Sequence, residues 1–479
     1  MRFTPLFCLF LLGACTVGPN YNGPPAVGAE AVARGGFVRA GQAAVPAPPA
    51  ARWWEALGDP TLTILVDEAL ANSPSIAAAE ARIRQGQAQL RQQRANQAPS
   101  VSANGTYLHA ELPGAGLGTA EDRQNANSSM GLDFYNLGLN ASWEPDLFGR
   151  VRRGIEQSRA AVEQRYAGLA DAQVSLSAQV VQAYVGYRDV QARIRLNARS
   201  SELQRQALAL TRQRYAAGTV SALQVERLQN QLESTGAQAI PLDAQADEYR
   251  DVLAILTGRT PGALDPTLAV VVPVPLPPAS VAIGDPAALI ASRPDIRAAE
   301  RALAAGTAAI GVNEARRFPS LRFMGILGLG GTSPGDVLDP GNLTTLVAPM
   351  LSWSFLDFGR TAAAVRQSEA QRDEAEANYR QTVLAALQDA ETSLSRFAAS
   401  RRQLARLVSA EESATRAEAL NRQRVAAGTS TLIDQLDVER QRLSASIAVA
   451  QGKAQLTNSF VAVNKALGLG WTPAVPPQP

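Results

Sequence analysis

Distinctive segments of this chain occur twice, in the same order and at fixed separations. Residues 143–150 recur at 353–360, and residues 212–219 recur at 422–429, both with an offset of 210 residues. Pro99-Ser100 recurs 220 residues later, so the first copy is ten residues longer between its landmarks. Matched landmarks in one order indicate an internal duplication. The fold must therefore accommodate two copies of one unit.

A long proline-free stretch follows Gly149 in the first copy and lasts until Pro241. Apolar residues recur at alternating steps of four and three over residues 162–194, and the second copy repeats this spacing over residues 383–408. Such heptad spacing predicts helices that pack as coiled coils. A helix from Gly149 to Gly218 would be about 100 Å long, too long for one globular core. We predict that each copy contains a helix, two strands, a long helix, a turn and a helix.

One β-hairpin is predicted in each copy, at residues 100–144 and 320–355. From Tyr135 to Trp143 apolar and polar residues alternate and end on an aromatic residue, as in the strands of a membrane β-barrel. A soluble hairpin with one wet face would alternate in the same way. Four strands cannot close a barrel, so their exposed edges require oligomerisation. Two chains would give a filled barrel of about eight strands, whereas three would give about twelve strands and a bore, which favours a trimer.

The first fifteen residues have the pattern of a targeting signal. Arg2 precedes an apolar run at 3–12, and small residues precede Cys15. The run is too short to span a bilayer as a helix. Residues 12–15 resemble a bacterial lipobox, which implies removal of residues 1–14 and lipidation of Cys15. An ordinary secretory signal with a chance cysteine is the alternative. Thr16, rather than an aspartate, follows the cysteine, which favours the outer membrane.

Composition argues against an enzyme and against nucleic-acid binding. The chain is 46% hydrophobic, and its 45 Lys and Arg residues nearly balance its 43 Asp and Glu residues, so it lacks the basic footprint of a nucleic-acid-binding protein. Its one histidine is His109 and its cysteines are Cys8 and Cys15, too few for a thiolate or imidazole metal site. We predict no catalytic residue, no metal, no nucleic-acid partner and no cofactor other than the lipid on Cys15.

Ordered motifs then point to a family. They are Cys-Thr-Val-Gly-Pro-Asn-Tyr at 15–21, Trp-Trp at 53–54 before Leu-Gly-Asp-Pro at 57–60, Trp-Glu-Pro-Asp-Leu-Phe-Gly-Arg at 143–150 and the two repeated Gly-Thr turns. With them the mature chain resembles the TolC-like outer membrane efflux factors, in particular the lipoprotein branch that serves resistance–nodulation–division (RND) pumps. The resemblance implies a homotrimer in the cell outer membrane, with a 12-stranded β-barrel above a periplasmic barrel of long antiparallel coiled-coil helices.

The same resemblance implies a function. Such a protein would be a passive exit duct, without enzymatic activity, that conducts drugs or other small solutes. Its partners would be outer-membrane lipid, a periplasmic adaptor (membrane fusion protein) and an inner-membrane RND-type pump, and these proteins would open a periplasmic iris gate. A protein-secretion (type I) exit duct of the same fold is the alternative function. A trimeric coiled-coil spacer or adhesin would be an alternative from another class.

The repeated Gly-Thr turns are candidate docking sites. Gly218-Thr219 and Gly428-Thr429 are predicted to end the long helices, because glycine readily adopts the positive φ of a helix C-terminal cap. The resemblance implies that both turns form the tip where the adaptor docks. Family members can latch this tip with a charge pair between the turns. The matching residues here are Gln224 and Ser430, so no such salt bridge is predicted.

Two acidic residues near the second turn are candidates for a gate. Asp434 and Asp437 are predicted to lie on one face of the first turn of the last helix. The resemblance implies that they ring the closed aperture, where threefold symmetry would gather six carboxylates. Ordinary first-turn acids that favour the positive helix end are the alternative. Ser221 with Gln224, and Thr431 with Asp434, are predicted to form capping boxes.

The remaining predictions concern the junctions and the boundaries. Trp143 with Gly149, and Trp353 with Gly359, are predicted to mark the strand–helix junctions. The predicted segments are a signal peptide (1–14), a lipidated N-terminal segment (15–60), the first repeat (61–260), a Pro-rich equatorial linker (261–286), the second repeat (287–467) and a C-terminal tail (468–479). The tip of the first repeat is predicted at 215–222 and that of the second at 425–434. The resemblance places the linker in a mixed belt together with both termini.

Overall fold

The computed structural model describes residues 16–113 and 129–471. The predicted signal peptide and Cys15, the predicted lipidation site, lie outside these residues. The chain divides into two compact units. The first comprises Arg84–Glu163 and Glu300–Ala377 together with the segment up to Pro24, and the second comprises Pro25–Ile83, Gln164–Ala299 and the chain from Asn378 onwards. In the described part of the chain, no helix is both long and apolar enough to cross a membrane.

The first unit contains a four-stranded antiparallel sheet, which confirms the two predicted hairpins. Strands β2 (Ser100–Pro113) and β3 (Ser129–Trp143) form the first hairpin, and strands β5 (Ser320–Gly331) and β6 (Leu343–Ser352) form the second. The order across the sheet is β2-β3-β5-β6. The two hairpins are joined because β3 pairs with β5, with Trp143 opposite Phe323.

One face of this sheet is apolar and exposed. Leu137 lies opposite Leu329, and Leu139 lies opposite Leu327, so the alternating apolar residues of neighbouring strands share a face. Leu137, Leu139 and Leu327 are all exposed in the single chain. On the other face β3 carries asparagine and glycine, but β5 carries Met324 and Ile326. The polar side of the predicted alternation is therefore clear in the first hairpin and weak in the second.

Long helices follow each hairpin, as the heptad spacing predicts. Helices α4 (Arg150–Ala216) and α9 (Arg360–Ala426) each have 67 residues, and helices α5 (Ala222–Leu256) and α10 (Leu432–Ala466) each have 35. The apolar positions of the heptads are largely buried, for example Val180 in α4 and Val383 in α9.

The leading helix of each copy is broken into two. In the first copy α2 (Pro60–Asn72) precedes α3 (Pro74–Ala95), and in the second α7 (Pro286–Ser292) precedes α8 (Pro294–Glu314). The breaks fall at Ser73 and Arg293, which have extended backbones. Each of these residues precedes a proline, whose ring disfavours helical geometry at the residue before it.

The second unit contains a large apolar core, and the proline-rich stretch at 261–286 packs into this core. Trp54, Leu62 and Leu268 are almost fully buried in this core. Strand β1 (Ala44–Val45) pairs in parallel with β4 (Val281–Ala282), so the N-terminal segment is hydrogen-bonded to the proline-rich stretch. Two short helices, α1 (Ala29–Arg34) and α6 (Asp265–Leu268), complete this region.

Candidate functional site

The strand–helix junctions of the two copies have the same hydrogen bond. The indole nitrogen of Trp143 donates to the carbonyl oxygen of Gln97 at 3.0 Å, and that of Trp353 donates to the carbonyl oxygen of Arg317 at 3.0 Å. Each bond ties the end of a hairpin to the chain that enters it. Both tryptophans remain exposed in the single chain, and an aromatic ring with one polar handle suits a membrane–water interface.

A glycine with positive φ precedes each long helix. The φ angle is 83° at Gly149 and 86° at Gly359, a conformation that glycine adopts without a steric penalty. Aspartates cap the helices that follow. Asp146 accepts hydrogen bonds from the amides of residues 151 and 152, and Asp357 accepts from the amides of residues 359 and 361. The bonds from Thr361 hold the pKa of Asp357 below its ordinary value.

The chain that follows Cys15 is bound at the first junction, a contact that the sequence did not reveal. We call residues 16–20 the N-terminal strap. Arg153 is 3% exposed, and its guanidinium donates to the carbonyl oxygens of Val17 and Gly18 and to the side-chain oxygen of Asn20. The amide of Val17 donates to the carbonyl oxygen of Phe148 at 3.3 Å. Cys15, though outside the described residues, is covalently joined to a segment held at this junction.

Glycines make room for the strap. A β-carbon at Gly149 would lie 2.7 Å from Thr16 Cγ2, and one at Gly18 would lie 2.5 Å from the α-carbon of Gly311. Such distances are too short for carbon atoms in contact, so larger residues would displace the strap. The Gly-Pro-Asn-Tyr motif at 18–21 makes this segment recognisable in the sequence. No pattern in the sequence, however, indicates that the segment contacts Arg153.

Both helix tips end in the predicted glycine turns. The φ angles of Gly218 and Gly428 are 72° and 73°. The amide of Thr219 donates to the carbonyl oxygen of Arg214, and that of Thr429 donates to the carbonyl oxygen of Arg424, both at 2.9 Å. Together with the bond from each glycine amide to the residue three positions earlier, this is the Schellman arrangement that ends a helix. Backbone hydrogen bonds therefore close both turns in the single chain.

Only one of the two predicted capping boxes forms. Thr431 accepts a hydrogen bond from the amide of Asp434, and the Asp434 carboxylate accepts one from the amide of Thr431. At the first tip Ser221 is the N-cap residue but makes no side-chain capping bond, so the predicted box with Gln224 is wrong. A neutral glutamine gains less from a helix N-terminus than a carboxylate does, because it carries no charge to interact with the helix dipole.

The two caps should therefore respond differently to alanine. We expect Thr431→Ala to cost about 1 kcal/mol of local helix stability. The matched control Ser221→Ala removes no capping bond and should change stability little. Hydrogen exchange of the backbone amides at 432–436 and at 222–226 measures each effect separately. Equal acceleration of exchange at both tips would contradict the assignment of the caps.

The two candidate gate residues differ in their surroundings. The Asp434 carboxylate also accepts a bond from the hydroxyl of Thr431 at 2.7 Å, and it lies 3.2 Å from the hydroxyl oxygen of Ser430. These bonds, with that of Thr431 first, hold the pKa of Asp434 below its ordinary value. The Asp437 side chain is 61% exposed and lies 3.7 Å from Arg440. Within one chain, Asp434 is thus part of the cap, whereas Asp437 points its charge largely into solvent.

A buried polar cluster lies behind the second tip. Glu418 is 6% exposed and Asn421 is 8% exposed. Gln435 donates to Glu418 at 3.2 Å and accepts from Asn421 at 3.1 Å, and Ser430 donates to Asn421 at 2.9 Å. The corresponding residues of the first copy are Leu208, Thr211, Val225 and Val220. The two tips are therefore unequal, a difference that a position-by-position comparison of the copies would have revealed.

Comparisons with known proteins identify relatives over nearly the whole chain. The family described as outer membrane efflux protein matches residues 65–259 and 286–469. Nodulation protein T of Rhizobium leguminosarum bv. trifolii is 29% identical over 98% of each chain. The pyoverdine export outer membrane protein OpmQ of Pseudomonas aeruginosa is 32% identical, over 97% of this chain and 95% of its own. A solved structure of the outer-membrane channel OprN has a TM-score of 0.86 and 32% identity, over 95% of this chain and 100% of that one.

Proposed function

Because the chain belongs to the outer membrane efflux protein family, we propose that three copies of it form a lipid-anchored duct for small solutes. The protein is an outer-membrane exit channel of a tripartite efflux system. We propose further that this channel is a trimer, that Cys15 carries the lipid, and that the helix tips serve as gate and docking site. We also propose that the duct is passive and performs no chemistry, with a periplasmic adaptor and an inner-membrane RND-type pump as its partners.

The four-stranded sheet is the observation that carries the proposed trimer. Its apolar face is exposed in one chain, and its outermost strands are β2 and β6. Inside a bilayer every backbone amide and carbonyl needs a hydrogen-bond partner, so an open sheet edge is not viable. Three copies would supply about twelve strands, which can close around a bore.

The N-terminal strap supports the proposed lipid anchor. Thr16 packs against Gly149, next to the end of β3. A lipid on the preceding residue would therefore emerge beside the strand–helix junction, where Trp143 has the character of an interfacial residue. The lipid would strengthen membrane attachment but would not replace the strands, because one buried acyl chain alone binds a membrane only reversibly.

The helix tips support a separate role in docking and gating. Gly218-Thr219 and Gly428-Thr429 form hydrogen-bonded turns at the ends of the long helices, and we propose that the adaptor docks there. Asp437, with Asp434 beside it, would ring the aperture in the trimer. The buried polar cluster of Glu418 and Asn421 makes the second tip the one whose packing depends on hydrogen bonds rather than apolar contacts.

Two measurements test the proposed function. Purified protein in planar lipid bilayers should give single-channel conductance, whereas a coiled-coil spacer would be silent. A deletion strain should become sensitive to members of a panel of toxic small compounds, and the wild-type chain should restore resistance. Loss of a secreted protein from the medium, with compound sensitivity unchanged, would instead identify a protein-secretion duct.

The lipid anchor can be tested apart from the barrel. We expect Cys15→Ser to abolish labelling by a radioactive fatty acid and to leave the trimer intact, because the strands themselves hold the membrane. Native mass spectrometry in detergent measures the oligomer, and fatty-acid labelling of the wild type is the control. A variant that is expressed normally but is monomeric would show that assembly depends on the lipid.

A further inference from the structure

The chain that follows helix α1 leaves an open cavity against helix α9. This cavity has a volume of about 620 Å³, and all of its lining residues belong to the second unit. Its apolar lining comes from Ala31 and Phe37, which are buried, and from Leu387. Polar side chains of α9, among them Thr392 and Ser395, line it as well. The cavity therefore combines apolar surface with hydrogen-bonding groups.

The segment that forms one side of the cavity is held against α9. A β-carbon at Gly28 would lie 2.9 Å from Leu387 Cδ1, so the chain approaches the helix closely there. Further along, the two carboxylate oxygens of Glu391 accept hydrogen bonds from the amides of Val38 and Arg39, at 2.8 and 2.7 Å. These bonds hold the segment through its backbone and leave its side chains available.

Three guanidinium groups at the cavity lack an acidic partner. Arg34 and Arg39 line it from the N-terminal segment, and Arg396 lines it from α9. All three are exposed, and within the part of the chain that the structure describes none of them forms an ion pair. Among the lining residues the one carboxylate is Glu391, whose oxygens are both engaged by backbone amides. The cavity therefore has an excess of positive charge.

The first copy of the duplication uses the equivalent helix face in another way. With the offset of 210 residues, Glu391 corresponds to Val181 and Ser395 to Val185, and the position of Arg396 is a glycine. Both valines are fully buried in the apolar core. The long helix of this fold can thus use this face for core packing, so its packing alone does not explain the polar, open cavity of the second copy.

We propose that this cavity binds a small organic carboxylate, with the apolar part of the ligand beside Phe37 and its carboxylate on the guanidinium groups of Arg39 and Arg396. The planar fork of an arginine matches a carboxylate and can donate two parallel hydrogen bonds to it. The volume is within the usual range for sites that bind small molecules. The site is separate from the tips and the candidate gate, because Arg396 precedes the end of α9 by roughly 45 Å of helix.

The mixed lining favours an organic anion over other ligands. Inorganic phosphate has no apolar surface to place beside Phe37 and Leu387, and it would lose water of hydration without gaining apolar contacts. A neutral ligand would leave the guanidinium groups of Arg34, Arg39 and Arg396 without a counter-charge. A molecule with an apolar body and one carboxylate interacts with both parts of the cavity.

Titration calorimetry of the protein in lipid nanodiscs tests the site, with 2-naphthoate as the probe. The alcohol 2-naphthalenemethanol has the same rings without the charge, inorganic phosphate has charge without the rings, and empty nanodiscs give the background from the lipid. We expect saturable binding of naphthoate, and binding of the alcohol and of phosphate at least about tenfold weaker. Equal binding of either control compound, or no saturable binding of naphthoate, would overturn the proposal.

Arginine variants test where the probe binds. Arg39→Gln and Arg396→Gln should each weaken binding of naphthoate about tenfold, because each removes charge-assisted hydrogen bonds to the carboxylate. Arg396→Lys should restore part of the loss, since lysine keeps the charge but lacks the fork. The matched control is Arg406→Gln, which changes an exposed arginine of α9 outside the cavity and should bind naphthoate as the wild type does.

A filled cavity tests the site without removing any charge. Ser395 is exposed, so Ser395→Phe should unfold at nearly the wild-type temperature and should abolish saturable binding of naphthoate. Unchanged affinity in both Ser395→Phe and Arg396→Gln would place the bound probe elsewhere and overturn the assignment. A loss in Arg406→Gln as large as that in Arg396→Gln would show a general effect of charge and overturn it as well.

Discussion

Valine at position 149 is expected to destabilise the protein far more than valine at position 359. Both positions have positive φ, which costs a residue with a side chain about 1–2 kcal/mol. At Gly149 a β-carbon would also lie 2.7 Å from Thr16 Cγ2 and 3.0 Å from Thr16 Cα, whereas at Gly359 it would meet nothing within 4 Å. Overpacking adds about 1–3 kcal/mol, so we expect a loss of about 2–5 kcal/mol at position 149 and only the backbone penalty at position 359.

Thermal unfolding in detergent and limited proteolysis of the N-terminal strap measure the two effects. Gly149→Val should lower the melting temperature and expose the strap to protease, whereas Gly359→Val should leave the strap protected. Alanine at the same two positions is the matched control, because it keeps the β-carbon and removes the branched methyl groups. Equal losses of stability at the two positions would mean that the strap does not press on Gly149.

The sequence predicted the parts of the fold that repeat with a short period. Heptad spacing over residues 162–194 predicted a long helix because burial along one stripe selects residues every three or four positions. Alternation from Tyr135 to Trp143 predicted a strand because side chains of a strand point to opposite faces in turn. Because the sequence is duplicated, each pattern found in one copy could be checked against its counterpart in the other.

Contacts between distant segments could not be predicted in this way. Arg153 reaches the strap across more than a hundred residues, and no periodic pattern connects them. The start of helix α3 at Pro74, by contrast, can be predicted from the proline itself, because its ring disfavours helical geometry at the preceding residue. Strands β1 and β4 pair beside the buried core, and strands of two residues are too short to show an alternating pattern in the sequence.

The candidate gate was the least predictable part, because one feature of the sequence served two roles. Thr431 followed three residues later by Asp434 correctly predicted a capping box. The same aspartate was also assigned to an aperture ring through the resemblance. In the single chain its carboxylate is engaged by the amide and hydroxyl of Thr431. Any test of the ring must therefore separate the charge of Asp434 from its part in the cap.

We expect the double variant Asp434→Ala with Asp437→Ala to raise basal conductance in planar bilayers and to weaken block by multivalent cations. Six carboxylates in a narrow bore would attract cations strongly, and removal of the ring removes that field. Crowded carboxylates disfavour full ionisation and protonate in coupled steps. Wild-type conductance should therefore change as the pH falls through the range just above the ordinary aspartate pKa of about 3.9, and the double variant should lack this response.

The cap makes a different contribution, with its own dependence on pH. Hydrogen bonds lower the pKa of Asp434, so the stability that they provide is present at neutral pH. It is lost only as the pH falls below about 3.9, the ordinary aspartate value, and through the lower value of the folded state. Conductance that changes above this range therefore cannot come from loss of the cap, and it would report the ring.

Single variants complete the separation of ring from cap. Asp437→Asn removes one charge of each pair and should leave the capping box intact, so we expect it to weaken cation block by itself. Thr431→Ala removes the capping partner but keeps both carboxylates, and it should preserve cation block while costing about 0.5–2 kcal/mol of helix stability. Recordings of wild type, both single variants and the double variant under one salt condition decide between the roles. If block by multivalent cations is unchanged in Asp437→Asn and in the double variant, the two aspartates act only at the start of helix α10.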